Sequence, residues 1–258
     1  MHIDDLLDSD IALPSIPKVI AVVLSELNRE EPDLRKISTE INTDPALTAC
    51  VLRLANSAQF QLTQKVGSVS SALALLGFDQ VRGLAIAAGL SVAFKKVPGI
   101  DMPQFWRYSL DVAKLARKLA NDVRVNASTA FTAGLVHATG ELVMNLGMPE
   151  QMQWLNEQAG PLSSRRAKAE HKLLGYSYAD VGGRFAANWQ FPIPIVEAIR
   201  HQLNPFAHGT YEGLAGILHL AAWRARAREE GLTPVAMLAT FPSEVSSTLG
   251  IDIDSVLT

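Results

Sequence analysis

The sequence predicts an all-α fold built as two packed helical subdomains. Three observations carry this. Apolar residues recur at steps of three and four almost throughout the chain. Helix start and stop signals, such as Asp44-Pro45 and the glycines at 77 and 147, punctuate that pattern. No Asn-Gly hairpin signal and no sustained period-two alternation occurs.

The elements follow in order. Leu13-Pro14-Ser15-Ile16-Pro17 reads as an entry turn, after which Ile20, Val23, Leu24 and Leu27 mark a helix face. Asp44 as N-cap with Pro45 at the first helical position starts the next, with Leu47, Val51, Leu54 and Ala58 on one face. A short helical segment spans 68–76 and stops at Gly77. Asp79 is the expected cap of a helix carrying Leu84, Ala87 and Leu90, broken by Pro98-Gly99. The interruption from Lys95 to Pro103 is the best boundary. It gives an N-terminal subdomain over 1–97, a second over 98–230 and a helical tail over 231–258. In the second block Trp106, Leu110, Ala113, Ala116 and Ala120 share a face. Ser128 or Thr129 is the expected cap of one helix bearing Phe131, Leu135, Ala138, Leu142 and Leu146. Further helices are expected from Pro149, across the charged 163–174, after Ser177, after Pro192-Ile193-Pro194 and over 211–230. Two short ones are expected after Thr233-Pro234.

Composition bounds the function. With 48% apolar and 19% charged residues, the chain of 258 residues is not disordered and is long enough to bury a sizeable core. Lys+Arg is 23 against Asp+Glu 26, a net charge of -3, so bulk charge argues against nucleic acid as a partner. The single cysteine, Cys50, admits no internal disulfide and fits a reducing cytoplasm. The acidic start MHIDDLLDSD has no positive segment followed by an apolar one, so no secretory signal is expected. No stretch reads as a membrane span.

Several phrases resemble known ones. Gly134-Leu135-Val136-His137-Ala138-Thr139-Gly140-Glu141 is similar to the helix of HD-superfamily metal-dependent phosphohydrolases that reads Gly-Leu-Leu-His-Asp-Ile-Gly-Lys. Phe105-Trp106-Arg107-Tyr108, Glu170 to Gly182, Trp189-Gln190-Phe191-Pro192 and Ala198-Ile199-Arg200-His201 resemble its flanking helices. The N-terminal half narrows the resemblance. The entry turn at 13–17, Ile41-Asn42-Thr43-Asp44-Pro45-Ala46-Leu47, Leu52-Arg53-Leu54-Ala55-Asn56-Ser57 and Ala72 to Gly77 are similar to the HDOD family, the HD-related output domain. In order and spacing the likeness covers roughly 10 to 225. It implies an all-α bacterial signalling module whose C-terminal subdomain is HD-like.

The resemblance also implies where a metal would be held, and this sequence departs there. Tyr108 stands for a histidine, Ala138 for the aspartate after His137, Tyr178 for another histidine, and Ala222 for the final aspartate. His201-Gln202 occupies the remaining pair. Alanine cannot ligate, and the lost carboxylates also remove the charge that balances a divalent cation. Neither HD-type hydrolysis nor a metal or other cofactor is expected. Tyr108, His137, Tyr178 and His201 become candidates for lining the vestigial pocket. His137 is better read as a hydrogen-bonded structural histidine, and so is His201, near a helix end. His171 and His219 have no metal-like partner spacing.

Other signals are weaker. Cys50 reads as a buried inert thiol. Glycines at 77, 83, 89 and 99 make no phosphate loop, and Gly182-Gly183 reads as a close helix approach. Of Arg224, Arg226 and Arg228, the first and last share a face, read as solvated, with anion binding or partner docking as the alternative. Arg165, Arg166 and Lys168 read the same way. Trp106, Trp189 and Trp223 read as core.

Three functions follow. The first is a non-enzymatic regulatory module acting through protein–protein contact, its partners signalling proteins such as cyclic-dinucleotide enzymes or two-component proteins. The second is a residual metal-dependent phosphodiesterase or nucleotidase. The third is a nucleotide or anion receptor using the vestigial cavity.

Overall fold

The computed structural model describes residues 3–7, 14, 16–56, 65–207 and 211–257. Leu13, Ser15, Ser57 and Ala58 of the sequence motifs lie outside them. Among the described residues there are helices and connecting turns and no strand. They divide into two compact units, one within 15–93, the other formed by 1–14 together with 94–258.

The first helix, α1 (Ile3–Leu7), belongs to the larger unit, where it packs on a later helix and Asp4 pairs with Arg184. The smaller unit holds α2 (Lys18–Leu27), α3 (Leu34–Asn42), α4 (Pro45–Ala55), α5 (Val69–Leu76) and α6 (Phe78–Ala93). Ile20, Val23, Leu24 and Leu27 are buried along α2. Asp44 caps α4 through Ala46 and Leu47 N–H at 2.9 and 3.0 Å, with Pro45 at the first helical position. Asn56 closes the chain behind α4: its side chain donates to Val66 O and accepts from Val66 N. Glu26, on the buried side of α2, pairs with Arg29 and Lys36. The Lys36 bond, with the Asp33 N–H, holds its carboxyl below the usual carboxylate range. α6 starts at Phe78, one residue earlier than a cap at Asp79 implies, which places Asp79 inside the first turn, where it pairs with Arg82. The α6 face is also turned from expectation, burying Val81, Ala85, Ile86 and Leu90 rather than Leu84 and Ala87.

In the larger unit α7 (Met102–Asp122) is capped by Asp101 and buries Phe105, Tyr108, Val112, Ala113, Ala116 and Leu119. This face is one step from the expected one, leaving Trp106 half-buried and Leu110 exposed. The expected single helix over 131–146 is two, α8 (Ala127–Val136) and α9 (Thr139–Gly147), and Asn126, not Ser128 or Thr129, caps the first. Then come α10 (Pro149–Gln158), α11 (Arg166–Leu174), α12 (Tyr178–Asn188), α13 (Ile193–His201) and α14 (Gly213–Glu229). Ser177 N–H and hydroxyl both reach Asp180, which sets the start of α12. The tail forms three short helices, α15 (Pro234–Thr240), α16 (Ser243–Leu249) and α17 (Ile253–Leu257). Both α16 and α17 pack on α14. The boundary expected at 97/98 thus falls at 93/94, and the tail is part of the larger unit.

The core of this unit lies where α7, α8 and α14 meet and where α12 crosses α9 and α13. Glycine sets one crossing: a Cβ on Gly140 would collide with the Tyr178 carbonyl and sit 2.7 Å from Gly182 N. Backbone contact that close brings the first turn of α12 beside the α8–α9 break. Phe94, Phe185 and Trp189 stack nearby, Phe94 and Phe185 edge to face at 5.7 Å. Trp189 is buried, whereas Trp223 is half-buried. Among the described residues no single helix is long and apolar enough to cross a membrane.

Candidate functional site

The α8–α9 break is where the sequence is densest in phrases of interest. A helix C-terminus leaves carbonyls without partners, and here side chains supply them. His137 Nδ1–H donates to Gly134 O at 2.7 Å, the Thr139 hydroxyl to Val136 O at 2.9 Å, and Gln202 Nε2–H to His137 O at 2.8 Å. With Nδ1 protonated, His137 Nε2 accepts from the Tyr108 hydroxyl at 3.1 Å. The rings lie 5.2 Å apart, a closeness that Gly134 allows, since a Cβ there would be 2.7 Å from Ala113 Cα. His137 is fully buried, and burial, assisted by the Arg226 charge, pushes its pKa down to about 3. It is a neutral structural imidazole at physiological pH. Burial drives the Tyr108 and Tyr178 hydroxyls upward, so both stay protonated.

Behind the break lies a buried charge cluster that the sequence did not reveal. Arg166, Glu141 and Glu170 are each 1% exposed or less. Arg166 Nε reaches Glu141 and Glu170 at 3.0 and 2.8 Å, and Nη2 reaches Glu141 at 2.8 Å. Nη1 donates to Asn156 and to the Ala159 carbonyl. Glu170 also accepts the Tyr178 N–H at 2.8 Å, fixing the start of α12. Two carboxylates share one guanidinium. Burial pushes both upward against the pull of Arg166, and the Glu141 charge raises Glu170 further. Arg165, Arg166 and Lys168 read alike in sequence, but Arg166 is interior while Arg165 and Lys168 are exposed. The turn at Ser163–Arg166 points one side chain of the three inward.

The four pocket candidates separate. Tyr108 and His137 face each other in the closed core. Tyr178 lines an open cavity of about 350 Å³. His201 is in neither place: it is half-buried and pairs with Glu197 one turn back at 3.2 Å. Ala198, Ile199 and Gln202 form the inward face of α13 and its cap, so the neighbouring position 202 takes the place expected for 201. The cavity is lined further by Gln202, His219, Ala222, Trp223 and Arg226, with Lys168 at its edge. His219 Nδ1–H donates to Gln202 O at 2.8 Å, and burial lowers its pKa. Cys50 is half-buried rather than enclosed, 3.6 Å from an Arg53 nitrogen.

The donor set does not fit a metal. The positions that the resemblance assigns to ligands hold Tyr108, Ala138, Tyr178 and Ala222. His137 has both ring nitrogens engaged. Among the described residues no group of three His, Cys, Asp or Glu is placed to hold an ion.

Arg226 is the residue that sequence reasoning set aside. Its neighbours are spent on local bonds: Arg224 donates to Leu257 O, and Arg228 pairs with Asp111 at 3.1 Å. Arg226, two residues from each, falls on the opposite face among Ala222, Ala225 and Ala227. Its Nη2 donates to the Tyr178 hydroxyl. The available signal was the i, i+4 step from Ala222, the vacated ligand position.

Comparisons with known proteins agree with this architecture. The family model of the HDOD domain matches residues 13–205. A solved structure from Shewanella amazonensis SB2B, provisionally named a phosphohydrolase, is 30% identical, covering 99% of this chain and 90% of its own, with a TM-score of 0.77. A Geobacter sulfurreducens HDOD domain protein of unknown function shares the fold at 22% identity, covering 99% and 90%, with a TM-score of 0.76. An uncharacterized protein of Treponema pallidum (strain Nichols) is 24% identical over 212 residues, 81% of this chain but 41% of that relative's length. On the match over residues 13–205, this chain is a member of the HDOD domain family.

Proposed function

We propose that this chain is a signal-transduction module that works without HD-type hydrolysis, through contact with other proteins. The observation that carries the reading is His137. The histidine of the resembled His-Asp pair is neutral, fully buried and engaged at both nitrogens, and Ala138 stands beside it where a carboxylate is expected. Without carboxylates to balance a divalent cation, there is no metal-bound water to activate. The role for contact draws on the exposed apolar side chains Ile193, Val235 and Leu238, the last two on α15, which buries none of its residues. Signalling proteins, including cyclic-dinucleotide enzymes and two-component proteins, are the proposed partners.

Two measurements on the full chain test this. Purified without tag or chelator, it should carry less than about a tenth of an equivalent of any transition metal. It should also release no product from nucleotides and cyclic dinucleotides with added manganese. Near-stoichiometric metal with turnover lost in His137→Ala would overturn the reading. Partners recovered with the wild type should be lost with Val235→Ser/Leu238→Ser; equal recovery removes α15 as the contact.

A further inference from the structure

Two arginines turn inward within one helical unit, Arg166 fully buried and Arg226 half-buried, and they are treated differently. Every nitrogen of Arg166 has a protein partner, and two carboxylates face it. Arg226 has one hydrogen bond, to the neutral Tyr178 hydroxyl. Its Nε is closed from solvent with no partner, and among the described residues it makes no ion pair. A guanidinium is always charged and carries five N–H donors, so one that meets only a neutral hydroxyl keeps donors for an anion. Beside it, Gln202 is 2% exposed, and both its amide hydrogens are spent on the His137 and Ile199 carbonyls. Gln202 Oε1 is also buried, with no partner among the described residues. Arg226 and Gln202 both line one cavity, where the outer nitrogens of Arg226 are its cationic donors, while Arg226 Nε and Gln202 Oε1 themselves are closed from solvent.

The rest of the lining limits that complement. Its volume of about 350 Å³ suits a small molecule. Lys168 adds a second positive charge at the edge. The carboxylate present there, Glu230, is engaged by the Ser164 N–H and hydroxyl at 2.7 and 2.9 Å. The remaining wall is mostly apolar: Ala167, Leu203, Ala222, Trp223, Ala227 and Leu232. The Trp223 ring is held by Phe241 at 5.3 Å and by Thr240, so it is positioned as a flat wall.

We propose that this cavity is a receptor site for a small organic phosphate with an aromatic or similarly flat body. Its anionic oxygens meet Arg226 and Lys168, and its body lies against Trp223 and Leu232. Two cations and a guanidinium fork favour a phosphate dianion over a carboxylate. The ligand would be the input of the signalling module proposed above, yet the site does not depend on the absence of catalysis.

Calorimetric titration of the full chain with phenyl phosphate, AMP, benzoate and inorganic phosphate tests it. At least one of the two aromatic phosphates is expected to bind one to one, with Kd on the order of 1 mM or below. Benzoate and inorganic phosphate should each bind at least about tenfold more weakly, lacking the second charge or the body. Arg226→Gln should weaken binding by about tenfold or more, and the exposed Lys168→Gln, which leaves the core intact, by roughly threefold. The proposal is overturned if neither aromatic phosphate binds at about 10 mM, if Lys168→Gln binds like wild type, or if benzoate or inorganic phosphate matches phenyl phosphate. Release of inorganic phosphate from a bound probe keeps the site and overturns the non-catalytic reading instead.

Discussion

Lowering the pH from 8 to 5 should cost the folded protein about 2 kcal/mol through His137 alone. The ring is completely enclosed, its Nδ1–H is on Gly134 O and its Nε2 accepts from Tyr108. A proton on Nε2 would have to displace that hydroxyl bond and leave a second cation near Arg226. The folded pKa therefore drops to about 3 from an ordinary 6.5. A depressed folded pKa means that the unfolded chain takes up the proton first. Stability from this group is full above 6.5 and is lost as pH falls toward about 3. Each pH unit below 6.5 costs about 1.4 kcal/mol, so one and a half units to pH 5 cost about 2 kcal/mol. His219, lowered by burial too, acts in the same direction. The assay is urea denaturation at several pH values for wild type and His137→Gln. The variant starts less stable at pH 8, because Tyr108 and Gly134 lose their partner. Its decline toward pH 5 should nevertheless be shallower by about 2 kcal/mol. Should the variant fail to fold, the His137 imidazole resonances of the wild type should not titrate between pH 8 and 5. Parallel denaturation curves, or a titration near 6.5, would refute a sealed neutral His137.

Three other perturbations have defined outcomes. Arg166→Met leaves Glu141 and Glu170 enclosed without their cation and should cost about 3–5 kcal/mol in chemical denaturation. Burial already pushes both carboxyls above their ordinary range and loss of the cation pushes them further, so that deficit should shrink as pH falls from 8. A deficit that grows in acid contradicts the charge assignment. Gly140→Ala puts a methyl into the Tyr178 carbonyl, a backbone collision that rotamers cannot relieve; a loss of about 3 kcal/mol or more is expected, and an unchanged Tm would mean α9 and α12 are not in contact there. Asp44→Ala removes the acceptor of two N–H groups at the start of α4 and should cost about 1 kcal/mol by the same urea assay; an unchanged midpoint would mean that Asp44 is not the cap.

Helix type was legible because local chemistry decides it. Asp44-Pro45 and Ser68 are caps in the structure because a short side-chain oxygen beside a helix start satisfies an orphan N–H wherever it occurs. Faces were less legible. Along α7 the sequence favoured Trp106 and Leu110, and the structure buries Phe105, Tyr108 and Val112. Small residues are the reason: Ala113, Ala116 and Ala120 fit either choice, and the contact with α8 at Gly134 decides between them. The missed break at His137 has a tertiary cause as well. Leu135, Ala138 and Leu142 keep helical spacing across it, but Gln202 and Thr139 supply the hydrogen bonds that make ending α8 at Val136 tolerable. Nothing within ten residues announces a donor at position 202.

The same limit governs the candidate site. Tyr108, His137 and Tyr178 were found because a motif marks their positions, and the motif fixes which helix carries each. It does not fix which of two adjacent residues faces inward, so His201 stood where Gln202 belongs. Charge was the poorer guide. Three basic residues at 165, 166 and 168, and three more at 224, 226 and 228, look alike as solvated clusters. The first cluster puts Arg166 fully inside, and the second turns Arg226 half inward. Arg166 meets two carboxylates drawn from α9 and α11, which makes it part of the scaffold. Arg226 meets a tyrosine hydroxyl and a cavity. It lies one turn after Ala222, where the resemblance implies an aspartate, and it carries the opposite charge. In the proposed receptor these two departures belong together: without inward carboxylates, the cavity beside Arg226 and Lys168 favours an anion over a cation.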